Sequence, residues 1–430
     1  MTETINVPKM VRPPKSKELC LLCKGSRNLC GKSRCPILLK QAHIIPVKRI
    51  ILKNETEFQG ASPPAFFVGR YGYPKVQVGP MIPPHEAELD NKLQILDEPD
   101  MWYGKSVDEI ISYRSFLIRS SFRIPDVKRY KINNKLLDIS QEIVMAGGPV
   151  ETEVKFTKAP KLAKIELDSH SQPFGPIGHV EKMVLTENPR VSKIVEKTVS
   201  DTDLRASESI FQLYKSKHSV SKIQMLLSAG LLGIDRKLVP TRWSITATDD
   251  TISKYLIKKI KLFPEVDKYL IFQDKYLGNN FKIIIMPREW RFENLEVWIS
   301  SLWKPDGNKD PIIMQDYEPY EGRKNYASNV TGAYYAARLA VCEYLYKQRR
   351  QGAVLVLREV NEEYLVPLGV WVIRETVRMA MKRPPLVFED LNSALQYIEN
   401  SDFKLPLKFW KNKSQIIRYI LRQKRLTDYF

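Results

Sequence analysis

Hydrophobic and polar positions follow different rhythms in the two parts of this chain. From about residue 40 to residue 300 the apolar runs are short and repeatedly cut by proline and glycine. Ala65-Phe-Phe-Val-Gly-Arg-Tyr-Gly-Tyr-Pro74 and Gly147-Gly-Pro149 are examples. Thr152-Glu-Val-Lys-Phe156 alternates residue by residue, which predicts a strand with one buried face. Between Ala206 and Leu232 the spacing becomes helical, with Ile210 and Leu213 and then Ile223, Leu226 and Leu227 recurring on one side. The break at Ser216 to His218 predicts two helices there.

The last third has longer elements. Asn329 is a predicted cap for a helix from Val330 to about Arg350, with Tyr334, Ala337, Val341 and Leu345 on one face and Gly352 as the stop. Ala353-Val-Leu-Val-Leu-Arg358 predicts a buried strand, and Val370 to Met381 a helix ended by Pro384-Pro385. A final helix is expected over Lys413 to Arg422.

The fold class read from this is α+β. A basic arm at 1–19 precedes a four-cysteine module at 20–40. A large mixed N-terminal domain at 41–300 is followed by a smaller C-terminal α/β domain at 301–412. A terminal helix and flexible tail occupy 413–430.

Composition narrows the function class. Apolar residues form 43% of the 430, with 7 Trp, 20 Tyr and 16 Phe, enough for a packed core rather than a disordered chain. The longest largely apolar run, Leu365 to Ile373, contains Pro367 and Gly369 and is too short to cross a bilayer. The first residues lack the charged-then-apolar order of a secretory signal. A soluble, cytoplasmic protein is expected.

Lys and Arg number 68 against 49 Asp and Glu, a net charge of +19. That excess favours a polyanionic partner such as nucleic acid. It is concentrated at the ends: residues 1–53 hold twelve Lys and Arg against Glu3 and Glu18, and 411–430 hold six against Asp428.

Four of the five cysteines, Cys20, Cys23, Cys30 and Cys35, lie within sixteen residues. In a cytosolic chain such clustering points to metal ligation before disulfides. Two residues between Cys20 and Cys23 let a tight turn bring both sulfurs to one side of a tetrahedral ion, and Cys30 and Cys35 close the site. Only Leu21, Leu22 and Leu29 are apolar there, so the metal would have to order the loop, with on the order of 10 kcal/mol of binding energy. A structural zinc is expected. An iron–sulfur cluster is the rival, since Cys35-Pro36 also ends cluster-binding runs, although the six-residue central gap suits it poorly. His43 reads as a buried structural imidazole rather than a fifth ligand, and Cys342 as inert packing.

The chain closes on Gln423-Lys-Arg-Leu426-Thr-Asp-Tyr429-Phe430. This resembles the peptide by which replication and repair proteins dock on the sliding clamp (PCNA). One helical turn puts Leu426, Tyr429 and Phe430 on one side, with Gln423 a turn earlier for hydrogen bonding. Each apolar anchor contributes about 1.5–3 kcal/mol when buried, against about 2–5 kcal/mol for ordering a free tail. Micromolar or somewhat tighter docking follows.

With those two motifs in place, the chain resembles the archaeal Nre DNA repair proteins. Phe67-Val-Gly-Arg-Tyr-Gly-Tyr-Pro-Lys75, Leu185-Thr-Glu-Asn-Pro-Arg-Val-Ser192, Tyr317-Glu-Pro-Tyr-Glu-Gly-Arg323 and the segment after Gly352 are similar to that family. The resemblance implies a DNA damage repair role, a zinc-type finger at the four cysteines and clamp docking through Gln423 to Phe430. It implies no reaction.

Two further patterns bear on chemistry. Arg70, Tyr71 and Tyr73, spaced by glycine, suit a surface where Arg meets phosphate and a ring stacks on a base; aromatics packed beneath a glycine turn are the alternative. Pro125-Asp126 followed by Glu153-Val-Lys155 fits the loose signature of metal-dependent nucleases. Asp126 and Glu153 would hold Mg²⁺ or Mn²⁺, and Lys155 would stabilise the attacked phosphate. A nuclease acting on damaged or branched DNA is therefore the alternative to a DNA-binding repair factor. Asp249-Asp250 reads as the acidic start of a helix, and Asp316 to Glu321 as a polar loop. Nucleotide-binding loops, serine elbows and paired-histidine metal motifs are absent from the sequence.

Overall fold

The computed structural model describes residues 23, 27, 29, 34–51, 53–84, 93–127, 133–162, 175–299 and 312–423. The class is mixed α+β, built on two six-stranded sheets with helices between and beyond them.

The first sheet contains β1 (Glu57–Ser62), β2 (Phe66–Val68), β3 (Val76–Ile82), β4 (Ile118–Ile124), β5 (Val150–Phe156) and β6 (Ile177–Leu185), in the order β1-β5-β6-β4-β3-β2. All neighbours are antiparallel except β4 and β6. The alternation read in the sequence holds in β5, where Val150, Thr152, Val154 and Phe156 are buried and Glu153 and Lys155 face solvent. On the inner face, Phe58, Ile118, Val154 and Phe156 pack with Ile143 of α3 (Lys135–Met145). Two earlier helices, α1 (Pro36–Ile51) and α2 (Val107–Phe116), lie against each other. A capping box of Ser106 and Glu109 opens α2.

The second sheet contains β7 (Tyr269–Tyr276), β8 (Asn279–Met286), β9 (Arg291–Trp298), β10 (Ile313–Glu318), β11 (Ala353–Val360) and β12 (Leu386–Phe388), in the order β10-β9-β11-β8-β7-β12. Strands from both sides of residue 300 thus share one sheet. β11 is inserted between β8 and β9, antiparallel to the first and parallel to the second. Every residue of β8 and β11 is buried, as helices covering both faces require.

The continuous apolar run of β11 is divided by the pleat. Val354, Val356 and Val360 join the core shared with the first sheet, while Ala353, Leu355 and Leu357 face a second core. The shared core is filled by α5 (Ala206–Lys215), α6 (Val220–Ser228), α7 (Thr241–Ile260), α8 (Gly332–Gln348) and α9 (Trp371–Lys382). The outer core is closed by α10 (Leu391–Glu399), α11 (Leu407–Lys413) and α12 (Gln415–Arg422). A short α4 (Lys193–Ser200) precedes this group, capped by Ser192.

The two helices expected between Ala206 and Leu232 are α5 and α6. Asn329 does not cap α8: the buried Asp316 carboxylate accepts the backbone N–H groups of Asn329 and Val330 at 3.0 and 2.7 Å, which delays the helix to Gly332. The expected final helix is α12, which starts two residues later than Lys413 because Ser414 ends the preceding α11 and caps α12. Glu293 of β9 reinforces that cap from within the sheet. Its carboxylate accepts Ser414 Oγ at 2.6 Å and the N–H groups of Gln415 and Ile416 at 2.8 and 3.0 Å. Among the described residues no helix is long and apolar enough to cross a membrane.

Candidate nucleic-acid interface

Three segments meet along α7. Phe67 to Lys75 sits at its start, Thr241 to Thr246 forms its first turns, and Tyr317 to Arg323 lies beside its middle and end.

At the start, β2 is tied to α7 by Val68 N–H donating to Thr241 Oγ1 at 2.9 Å. The turn that follows is held at several points. Gly69 N–H donates to Gln77 O at 2.8 Å, Lys75 N–H to Gly72 O at 2.9 Å, and Val127 N–H to Pro74 O at 3.0 Å. Gly72 has φ +79°, a conformation that favours glycine, and the Tyr73–Pro74 peptide is cis. This scaffold leaves Tyr71 82% exposed, Tyr73 39% and Trp243 46%. Tyr73 and Trp243 lie with ring centroids 5.1 Å apart. The Arg70 guanidinium stands 5.0 Å from the Tyr71 ring, and its Nη2 donates to the Tyr71 hydroxyl at 3.2 Å. Lys75, Arg123 and Arg242 are exposed nearby, Arg123 directly opposite Gln77 across β3 and β4.

The expected trio of Arg70, Tyr71 and Tyr73 is therefore on the surface, not packed beneath its turn. Trp243 and Arg242 complete the cluster and were not singled out for that role. Arg242 and Trp243 follow Pro240-Thr241 at the helix start, but nothing in the local sequence ties them to the Phe67 to Lys75 turn.

Further along α7, Trp243, Thr246, Asp250 and Lys254 share one face at helical spacing. Tyr326, 53% exposed, stacks on Tyr335 at 5.4 Å beside this face. At the far end, Lys261 lies 4.5 Å from the Tyr320 ring.

Beneath the surface, α7 is fixed by buried ion pairs. Asp249 and Asp250 are mid-helix, not at its start, and they bind different partners. Asp249 accepts Arg374 Nη1 at 3.1 Å, while Asp250 pairs with Arg338 and, at 2.7 Å, with Lys254. Arg374 also reaches Asp100 at 3.0 Å, and Arg378 links Glu375 and Glu343 at 2.8 and 2.7 Å. Burial would raise the Asp100 carboxyl, but Arg374 and Arg378 hold it well below the usual range. Asp316 and Glu318 are not in a polar loop; they lie buried on β10. Glu318 accepts from Arg338, from Trp290 Nε1 and from the Tyr334 hydroxyl, the last two at 3.2 Å, and Asp316 pairs with Arg323 at 3.0 Å. These ion-paired carboxylates hold α7 to the helices and strand around it.

The nuclease residues are placed as follows. Glu153 and Lys155 share the solvent face of β5, and Lys155 Nζ pairs with Glu57 at 3.1 Å. Asp126 follows β4 and β6 lies between β4 and β5, a separation of roughly 10 Å between outer strands. Among the described residues, no group of three or more His, Cys, Asp or Glu is arranged to hold a metal.

Of the zinc candidates, Cys23 is buried and Cys35 stands at the entrance to α1, where its carbonyl accepts Leu39 N–H at 3.0 Å. Cys20 and Cys30 lie outside the described residues, as do Leu426, Tyr429 and Phe430 of the tail. Gln423 is described, its N–H donating to Tyr419 O at 2.9 Å as α12 ends. The cysteine segment is joined to α2: Arg34 Nη1 and His43 Nε2 bind the Asp108 carboxylate at 2.6 and 3.1 Å. His43 is thus a half-buried hydrogen-bond partner of Asp108 rather than a core imidazole. Cys342 is fully buried in α8, and burial raises its thiol well above the ordinary value.

The Leu185 to Ser192 stretch borders a groove of about 440 Å³ lined by Ile139, Glu142, Leu185, Glu187 and Asn188. Its two carboxylates make it ill-suited to a polyanion.

Known proteins match nearly the whole chain. Residues 29–304 match the family described as Archaeal Nre, N-terminal, and residues 318–429 match Archaeal Nre, C-terminal. DNA repair protein NreB of Archaeoglobus fulgidus is 38% identical over 400 residues, covering 93% of this chain and 97% of the relative. DNA repair protein NreA of the same organism is 38% identical over 394 residues, covering 90% and 95%. DNA repair protein NreA of Haloferax volcanii is 36% identical over 337 residues, covering 77% and 79%. No solved structure matches the chain.

Proposed function

Because the chain belongs to the archaeal Nre family, with relatives named DNA repair proteins across nearly its whole length, we propose that it is a DNA repair factor. In this reading it binds DNA and is recruited to the sliding clamp (PCNA) through Gln423, Leu426, Tyr429 and Phe430. A structural zinc at Cys20, Cys23, Cys30 and Cys35 orders the N-terminal module.

The observation that carries DNA binding is the convergence of the Phe67 to Lys75 turn and the first turns of α7 on one exposed face. Arg70, Lys75, Arg123 and Arg242 supply positive charge there, beside three exposed rings. In a chain of net charge +19 this described surface suits a phosphate backbone. Clamp docking is supported by the match of the last eight residues to the docking pattern, and by α12. Glu293 and Ser414 anchor that helix to β9, so the motif would extend from a fixed point.

The nuclease alternative, with Asp126, Glu153 and Lys155 around Mg²⁺ or Mn²⁺, has less support. Lys155 is engaged by Glu57, and β6 separates the strands that carry the two carboxylates.

DNA binding is tested by measuring affinity for labelled DNA from low to physiological salt. Affinity should fall steeply as salt rises, in proportion to the phosphates contacted. Affinity independent of salt would defeat the reading. Calorimetry of a peptide spanning 423–430 against the clamp tests recruitment, and no heat of binding would remove that half.

A further inference from the structure

The cluster at the start of α7 has more ring surface than phosphate binding requires. Tyr71 is 82% exposed, and Trp243 is 46% exposed beside Tyr73. Three large rings left partly or wholly facing water forgo the gain that burying each would contribute. The turn that presents them is nonetheless pinned to β3, to Val127 after β4 and to Thr241. The rings are therefore held out on a rigid support. Arg70 flanks the Tyr71 ring at 5.0 Å, and the neighbouring Arg242 and Lys75 are exposed.

Flat aromatic faces interleaved with cations suit an unpaired strand, whose bases can stack on the rings while its phosphates meet Arg and Lys. They do not suit an intact duplex, where each base face is already covered by its neighbours and only edges are offered in the grooves.

Resting on the DNA-binding reading above, we propose that this cluster is a stacking platform for single-stranded DNA. Tyr71 receives one base, the Tyr73–Trp243 pair receives another, and Arg70, Lys75 and Arg242 hold the connecting phosphates. Stacking is tolerant of sequence, so the platform selects unpaired DNA rather than a base order.

The full chain is titrated into a labelled thymidine 20-mer and into a duplex of the same length, by fluorescence anisotropy. The same titrations are made with Tyr71→Ala, Trp243→Ala and the double variant; both side chains are exposed, and melting temperatures check that the fold is kept. The single strand is expected to bind more tightly than the duplex. Each substitution should weaken single-strand binding five- to about a hundredfold, with little change for the duplex. Wild-type tryptophan fluorescence should be quenched on binding, and the quench should shrink in Trp243→Phe.

Salt-dependent binding of both DNAs with equal affinity, unaffected by the double variant, overturns the platform and leaves the DNA-binding reading intact. Equal losses for duplex and single strand overturn it too. Tighter binding of an RNA 20-mer than of its DNA counterpart would replace the assigned strand. Failure to bind any DNA at low salt brings down both readings together.

Discussion

The backbone N–H of Val68 donates to the side-chain oxygen of Thr241 at 2.9 Å, and this bond joins the edge strand of one sheet to the first residue of the helix that packs between both sheets. Ser228 Oγ lies 3.3 Å from the same oxygen, so Thr241 is a small hub. Thr241→Val keeps the shape and removes the acceptor. Leaving the Val68 N–H unsatisfied should cost about 1–3 kcal/mol, read as a lower urea midpoint with an unchanged slope. It should also loosen Tyr73 against Trp243.

Arg374 is essentially without solvent contact and serves Asp249, Asp100 and Glu375 at once. Arg374→Met would strip Asp249 of its arginine partner in the interior and leave Asp100 and Glu375 to Arg378 alone, with an expected loss of about 3–5 kcal/mol. Denaturant unfolding checks this. Lys254→Met, on the exposed end of the Asp250 pair, should change stability by under about 1 kcal/mol and provides the control.

His218 sits half-buried between α5 and α6, 3.3 Å from Ser192 Oγ. Burial first, and Lys222 second, lower its pKa from the ordinary value of 6.5. The unfolded chain therefore takes up a proton there before the folded chain does as pH falls. Stability should rise with pH up to about 6.5 and drop below it, by less than about 1.4 kcal/mol per pH unit from this group. His218→Gln should flatten that part of the profile. Urea midpoints between pH 5 and 8 decide the matter, and an identical slope in the variant would falsify the assignment.

The purified protein should carry one zinc per chain, lost on replacing Cys20 or Cys35 with serine. Elemental analysis is the measurement, and iron with a visible absorption band would establish a cluster instead. Losing the metal should leave α7 and the second sheet folded, because the described residues among 20–35 contribute no side chain to either core.

Nuclease activity is checked with single-stranded, duplex and flap DNA in Mg²⁺ or Mn²⁺. On the proposed role as a binding factor, no cleavage is expected. Cleavage abolished by Asp126→Ala with Glu153→Ala would instead reinstate the enzyme reading.

Helices and strands with a strong local rhythm were legible from the chain. The pair α5 and α6 follows from the spacing of Ile210, Leu213, Ile223 and Leu226, and β11 follows from its unbroken apolar run. What depended on distant partners was not. Asp249 and Asp250 look like helix-start acids until Arg374 and Arg338 arrive from segments around a hundred residues away. Asp316 and Glu318 look like loop residues because the short polar stretch hides a strand, β10, whose pairing partner β9 is set by the sheet and not by local rhythm. At the surface, Arg70, Tyr71 and Tyr73 could be named from their glycine spacing. Trp243 could not be grouped with them, because nothing local shows that β2 leans on the start of α7.

The insertion of β11 between β8 and β9 has a consequence for synthesis. As the chain leaves the ribosome, β8 and β9 appear one after the other across a short link, Pro287 to Trp290, and their nearest available pairing is a hairpin. That hairpin is the wrong structure, because the native slot between them belongs to residues 353–360. At 5–20 residues per second, roughly 3–12 s pass between the emergence of Trp298 and that of Val360. During this interval two apolar strand edges are exposed to themselves and to other nascent chains. Translation speed through residues 299–360 should therefore set the yield of soluble protein, and a chaperone that shields β8 and β9 should raise it.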